Sequence, residues 1–141
     1  MGVVYIVNML VVGIVVCLHY EFLHRTNKLM PLLPERHRLR IVLGVVLALT
    51  AHAIEMWIFG ITFYLMNKAD EWGYLAGNFN GSLMDCVYFS FTSYTTLGFG
   101  DIVPHGDLRF LAGLESLTGL VLITWTASFL FLRMTYDWKL K

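Results

Sequence analysis

The sequence predicts an all-α integral membrane protein: three transmembrane helices, plus a shorter re-entrant helix leading into a glycine-punctuated loop. Three observations predict it. The chain has 141 residues, 57% hydrophobic and 14% charged, with mean hydropathy +0.66. A soluble domain averages about 25% charged residues. Three apolar runs reach the ~17–25 residues that a spanning helix needs. Between the second and third lies Thr95-Thr96-Leu97-Gly98-Phe99-Gly100-Asp101, where two glycines alternate with bulky residues. Irregular backbone at membrane depth survives only when buried in protein or lining a cavity.

Residues 3–20 form the first span, broken by Asn8, Gly13 and His19, with Tyr5 and Tyr20 at interfacial positions. No basic residue precedes this run and no small-x-small site follows it, so it does not read as a signal peptide. Residues 21–40 read as a polar hairpin, interrupted by Pro31 and Pro34 and carrying Arg25, Lys28, Arg36, Arg38 and Arg40 against Glu21 and Glu35. The positive-inside rule makes this loop cytoplasmic and the N-terminus extracellular. The chain thus divides into residues 1–40, a helix and basic loop, and residues 41–141.

The second span covers residues 41–66 and ends near Tyr64. Residues 67–81 follow as a short extracellular turret rich in Asn and Gly, with Asn80-Gly81-Ser82 matching a glycosylation sequon. Residues 82–94 form the re-entrant helix, opened by a Ser82/Asp85 capping box. At ~1.5 Å per residue it is roughly 20 Å long, too short to span. Its negative dipole end, at bilayer depth, favours a cation. The third span covers residues 108–135. Arg133, Lys139 and Lys141 mark its inner end, with Tyr136 and Trp138 as interface anchors.

The formal net charge of +0 suggests no nucleic-acid partner. Residues 67–109 carry Asp70, Glu71, Asp85, Asp101 and Asp107 against Lys68 and Arg109, an acidic outer surface that concentrates cations. Cys17 and Cys86 fall near opposite membrane faces, which argues against a disulfide, and they lack metal-site spacing. His19, His24, His37, His52 and His105 are scattered without ligand spacing. Nothing reads as an enzyme.

Glycine tolerates backbone conformations closed to other residues. Alternated with ordinary residues, it can turn successive carbonyls toward one side, replacing the water shell of a cation. Thr95–Asp101 resembles the signature of pore-loop potassium channels, as do Ser90-Phe91-Thr92-Ser93-Tyr94 before it and Ile102-Val103-Pro104 after it. The resemblance covers roughly residues 41–135. It implies an outer helix, a pore helix, a filter and an inner helix. It also implies passive, potassium-selective conduction by a homotetramer in the cell membrane. K+ ions would bind the carbonyls of Thr96, Leu97, Gly98 and Phe99 and the Thr96 hydroxyl, with no organic cofactor. Leu97 and Phe99, where the family commonly has Val and Tyr, should pack behind the filter. Thr95 and Gly100 flank it. Asp101 should be braced by the Tyr88 hydroxyl, because Thr92 stands where some members place a carboxyl group. The first span is an addition to the two-span plan.

In the third span, Glu115 and Gly119 resemble the spacing of inward-rectifier inner helices. Ala112, Ser116 and Gly119 share a face, so Gly119 is a hinge or a packing notch. Thr124 and Ser128 line an inner cavity or bond back to their own helix. Ionisable groups inside a membrane need partners. His52 and Glu55, at i and i+3, can bond each other and a neighbouring helix. Glu55 is roughly 16 Å from the outer end and Glu115 roughly 10 Å. Both can brace the scaffold behind the filter, as structural glue or as a protonation-sensitive support. His105, beside Pro104, is a candidate titrating group at the mouth. No span carries the arginine repeat of a voltage sensor, and the chain leaves no room for a cytosolic ligand domain. The partners implied are its own copies and membrane lipid, with Arg36, Arg38 and Arg40 either reading anionic lipid or setting topology. No soluble protein partner is implied. The alternatives are a weakly selective cation pore, a non-conducting subunit with a relic filter, and a histidine-based metal-binding or transport protein.

Overall fold

The computed structural model describes residues 2–32, 37–69 and 71–139. Pro34, Glu35, Arg36, Asp70 and Lys141 of the sequence reading lie outside the described residues, as do the side chains of His37, Trp138 and Lys139. Three long helices carry the fold: α1 (Gly2–Leu29), α2 (His37–Lys68) and α4 (Leu108–Lys139). Each is long and apolar enough to cross a membrane. The re-entrant helix α3 (Leu83–Tyr94) has 12 residues and packs between α2 and α4.

Helix α1 runs nine residues past the expected end of the first span, so most of the 21–40 segment is helical rather than a hairpin. The reason is local. Glu21 and Arg25 stand at i and i+4, and Arg25 Nε donates to Glu21 Oε1 at 2.6 Å. Pro31, inside a 3-10 turn over Met30–Leu32, closes the helix. Helix α2 likewise starts before residue 41.

The turret contains a strand that the sequence reading missed. β1 (Leu75–Gly77) pairs antiparallel with β2 (Ile102–Pro104), in register Leu75↔Pro104, Ala76↔Val103 and Gly77↔Ile102. Three residues per strand are too few for an alternating pattern to show. This ribbon joins the segment before α3 to the segment after the glycine loop.

Lipid is as apolar as these helices, so close packing and hydrogen bonds hold them together. α1 turns Val4, Asn8, Val15, His19, Leu23 and Thr26, at helical spacing, toward α2 and α4. Phe59, Phe63, Leu111 and Leu122 are fully buried. Phe63 meets Phe89 edge-on, centroids 5.0 Å apart, seating α3 on α2. Tyr5 against Phe110 sets the start of α1 beside the start of α4. At the opposite end, Met30 and Leu130 close over Gly44.

Candidate functional site

Ser82 caps α3 with extended backbone, and its side chain accepts from the Asp85 N–H at 3.1 Å. The expected capping box is only half formed. The Asp85 carboxylate accepts from Asn80 N–H at 2.8 Å, while Ser82 N–H goes to Asn80 Oδ1 at 2.8 Å. At its other end α3 delivers the chain directly into the glycine loop. Thr95 Oγ1 donates to Phe91 O at 2.6 Å, Thr96 N–H to Ser93 O at 3.0 Å and Gly98 N–H to Thr92 O at 3.0 Å.

The backbone of the loop alternates. Thr96, Gly98 and Gly100 have φ of 60°, 52° and 78°, with no positive φ at Leu97, Phe99 or Asp101. The glycines enter this region freely. A β-branched residue there is strained by roughly 1–3 kcal/mol and persists only where its surroundings hold it. The Thr96–Ser93 bond supplies that hold. Residues 95–100 are all exposed. Leu97 and Phe99 are 65% and 66% exposed. Their expected packing behind the loop is therefore not supplied by their own chain.

Beyond the loop, the Tyr88 hydroxyl donates to Asp101 Oδ2 at 2.9 Å. The carboxylate beside it pushes the phenol above the ordinary tyrosine pKa, so it stays a donor. Asp101 O also accepts from Asn78 N–H at 2.8 Å, next to the ribbon. The exposed His105 ring stacks on Tyr74 at 4.7 Å and touches none of these groups.

Behind α3 lies a buried polar cluster. Glu55, fully buried, receives the Tyr94 hydroxyl on Oε2. His52 Nδ1 lies 3.0 Å from Oε2 and from the Tyr94 oxygen. The unforeseen member is His19 of α1, with Nδ1 2.8 Å from Glu55 Oε1. Thr126 of α4 faces both rings, 3.1 Å from His52 Nε2 and 3.3 Å from His19 Nε2. Two of the histidines read as scattered thus stand together, with ring centroids 5.3 Å apart. The ligand-type atoms of His19, His52 and Glu55 lie within 4.8 Å of one another. The signal that singled out His52 applied equally to His19: an ionisable residue in an apolar run needs a partner.

Glu115 forms a second contact: the Ser90 hydroxyl lies against its carboxyl group and, at 2.7 Å, against Met56 O. One helical turn on, α4 touches the backbone of α3. A Cβ at Gly119 would lie 2.1 Å from Tyr94 O, so this glycine is placed as a packing notch. Ser116 Oγ donates to Ser93 O at 2.9 Å on the same face. Thr124 and Ser128 are exposed, and each hydroxyl donates to the carbonyl four residues earlier, Leu120 and Thr124 respectively.

The arrangement thus joins three spanning helices, a half-length helix ending at depth, and an exposed loop of alternating hand. No curated protein and no solved structure matches the chain. Residues 51–136, which hold most of α2 and everything from the ribbon through nearly all of α4, match the family described as ion channel. With that match covering more than half of its length, the chain belongs to the ion channel family, of the pore-loop type.

Proposed function

We propose that this chain conducts potassium passively and selectively as a homotetramer. The observation that carries the reading is the alternation of backbone hand at Thr96, Gly98 and Gly100. It falls on the T-T-L-G-F-G-D sequence. Alternating hand turns successive carbonyls to one side, so those of Thr96, Leu97, Gly98 and Phe99, with the Thr96 hydroxyl, can replace an ion's water shell. One chain offers one strand of carbonyls, and closed symmetry supplies the rest. The uncovered Leu97 and Phe99 support the same reading, because neighbouring copies would cover them. Thr124 and Ser128 keep exposed oxygens toward an inner cavity.

Reconstituted in liposomes, the chain should give a reversal potential that follows the potassium gradient. Barium, a divalent near potassium in size, should block it, and the particle mass should equal four chains. Equal sodium and potassium permeability would overturn the selectivity. A dimer or trimer would overturn the assembly.

Two further outcomes follow from this reading. Tyr88→Phe removes the donor to Asp101 and leaves the ring in place. Conducting lifetimes should shorten several-fold while the tetramer survives, and unchanged lifetimes would remove the brace. Among the described residues, Arg25, Lys28, Arg38, Arg40 and Arg133 lie toward one end of the bundle, which the positive-inside rule makes cytoplasmic. Thiol labelling in sealed vesicles should then reach a cysteine placed at the N-terminus only from outside, and one at the C-terminus only from inside. Labelling of both from the same side would refute the three-span orientation.

A further inference from the structure

The cluster behind α3 closes on itself. Glu55 Oε1 meets His19 Nδ1 at 2.8 Å, His19 Nε2 meets Thr126 Oγ1 at 3.3 Å, Thr126 Oγ1 meets His52 Nε2 at 3.1 Å, and His52 Nδ1 meets Glu55 Oε2 at 3.0 Å. This is a ring of four links. Each link needs one proton between its two heavy atoms. A carboxylate brings none, the threonine hydroxyl brings one, and each neutral imidazole brings one. Three protons cannot fill four links. Without a fourth, both Nε2 atoms compete for the single Thr126 proton, and one buried nitrogen is left unpaired.

We propose that Glu55, His19, His52 and Thr126 form a binding site for one proton, shared around a closed ring that fastens α1 to the end of α3. Charge points the same way as the proton count. The added proton cancels the Glu55 charge, and a neutral cluster is the form that membrane depth favours. Whether the proton sits on an imidazole or on the carboxyl, the total is the same. The Tyr94 hydroxyl touches both Glu55 Oε2 and, at 3.0 Å, His52 Nδ1; its one proton goes to the shorter contact, the carboxylate, and so does not fill the ring. Every element around the site agrees. α1 contributes His19, α2 contributes His52 and Glu55, and α3 contributes Tyr94. From α4 come the hydroxyl of Thr126 and the indole of Trp125, 5.4 Å from the His19 ring. Glu115 of α4 faces Ser90 instead.

The spacing fits a proton better than a metal ion. Nitrogen and oxygen ligands at about 2.0–2.1 Å from a tetrahedral ion stand roughly 3.3 Å from one another. The imidazole–carboxylate links here are 2.8 and 3.0 Å, the length of hydrogen bonds. Loss of the proton leaves a bare charge against Tyr94, the last residue of α3 and the neighbour of the glycine loop. The site is independent of which ion the chain conducts.

The test is nitrogen-15 NMR of histidine-labelled full-length chain in lipid, with signals assigned by His19→Gln and His52→Gln. At neutral pH the pair should show one imidazolium, or one proton shared between the rings and the carboxyl. In Glu55→Gln the charge to be cancelled is gone, and both rings should become neutral. Two neutral rings and an ionised carboxylate in the wild-type chain would overturn the proposal, as would an imidazolium that survives in Glu55→Gln. So would one zinc per chain by elemental analysis that is lost in His19→Gln. The wild-type spectrum decides by itself, so a Glu55→Gln chain that fails to assemble does not remove the test. None of these readouts depends on conduction.

Discussion

Gly119→Ala should detach the re-entrant helix from α4 and abolish conduction. The added Cβ would stand 2.1 Å from Tyr94 O, 2.9 Å from Tyr94 C and 2.9 Å from Tyr94 Cδ1. A flexible side chain would swing aside, but here the obstacle is backbone. Tyr94 is fixed besides, by its hydroxyl on Glu55 and its contacts with His52 and Phe59. Inserting a methyl group into a packed interior commonly costs about 1–3 kcal/mol. With both helices pinned, the cost should reach the upper end of that range or exceed it. Gly113, on the same helix, is the control, since a Cβ there meets nothing within 4 Å. Thermal unfolding in detergent compares the two. Gly119→Ala should melt well below the wild type, and Gly113→Ala at or slightly above it, because alanine favours helix over glycine by about 0.5–1 kcal/mol. Equal melting of both variants would refute the notch.

Glu55→Ala should be the most damaging change behind the loop. It removes the acceptor shared by His19, His52 and Tyr94 and leaves three polar groups buried with no carboxylate to meet. Removing one partner of a buried ionic pair typically destabilises by about 3–5 kcal/mol. His19→Ala should cost less, since Glu55 keeps His52 and Tyr94. The order Glu55→Ala, then His19→Ala, then wild type should appear in melting temperature. If His19→Ala melts with the wild type, His19 contributes nothing to holding α3 in place.

The three spans and the half-length helix were legible because length and hydropathy decide them, and a 12-residue helix cannot cross a bilayer. The Ser82 cap was legible because capping is local chemistry. The glycine loop was legible because only a special backbone needs glycine at alternate positions. The pairing of Tyr88 with Asp101 followed from helical spacing together with a resemblance. What was not legible depends on contacts between distant parts of the chain. His19 and Thr126 are 107 residues apart, and no spacing rule along one helix brings them together. The ribbon escaped because strands of three residues carry no period. The length of α1 escaped because charged residues after residue 20 were read as a loop, whereas Glu21 and Arg25 support a helix that leaves the membrane. Leu97 and Phe99 are expected to pack behind the filter. One chain does not provide that packing, since both side chains face outward from their own fold.

The ribbon has a mechanical consequence. Leu75–Gly77 grips Ile102–Pro104 by main-chain bonds, and Asn78 N–H holds Asp101 O. These bonds belong to backbone atoms that nearly every amino acid shares. The turret is therefore a handle welded to the far end of the glycine loop. A protein that seizes the turret pulls on that loop without reaching into it, and swapping exposed turret side chains alters how well it grips while the main-chain bonds stay, except at Gly73 and Gly77, where a Cβ would lie 2.2 Å from His105 O and Asp101 O.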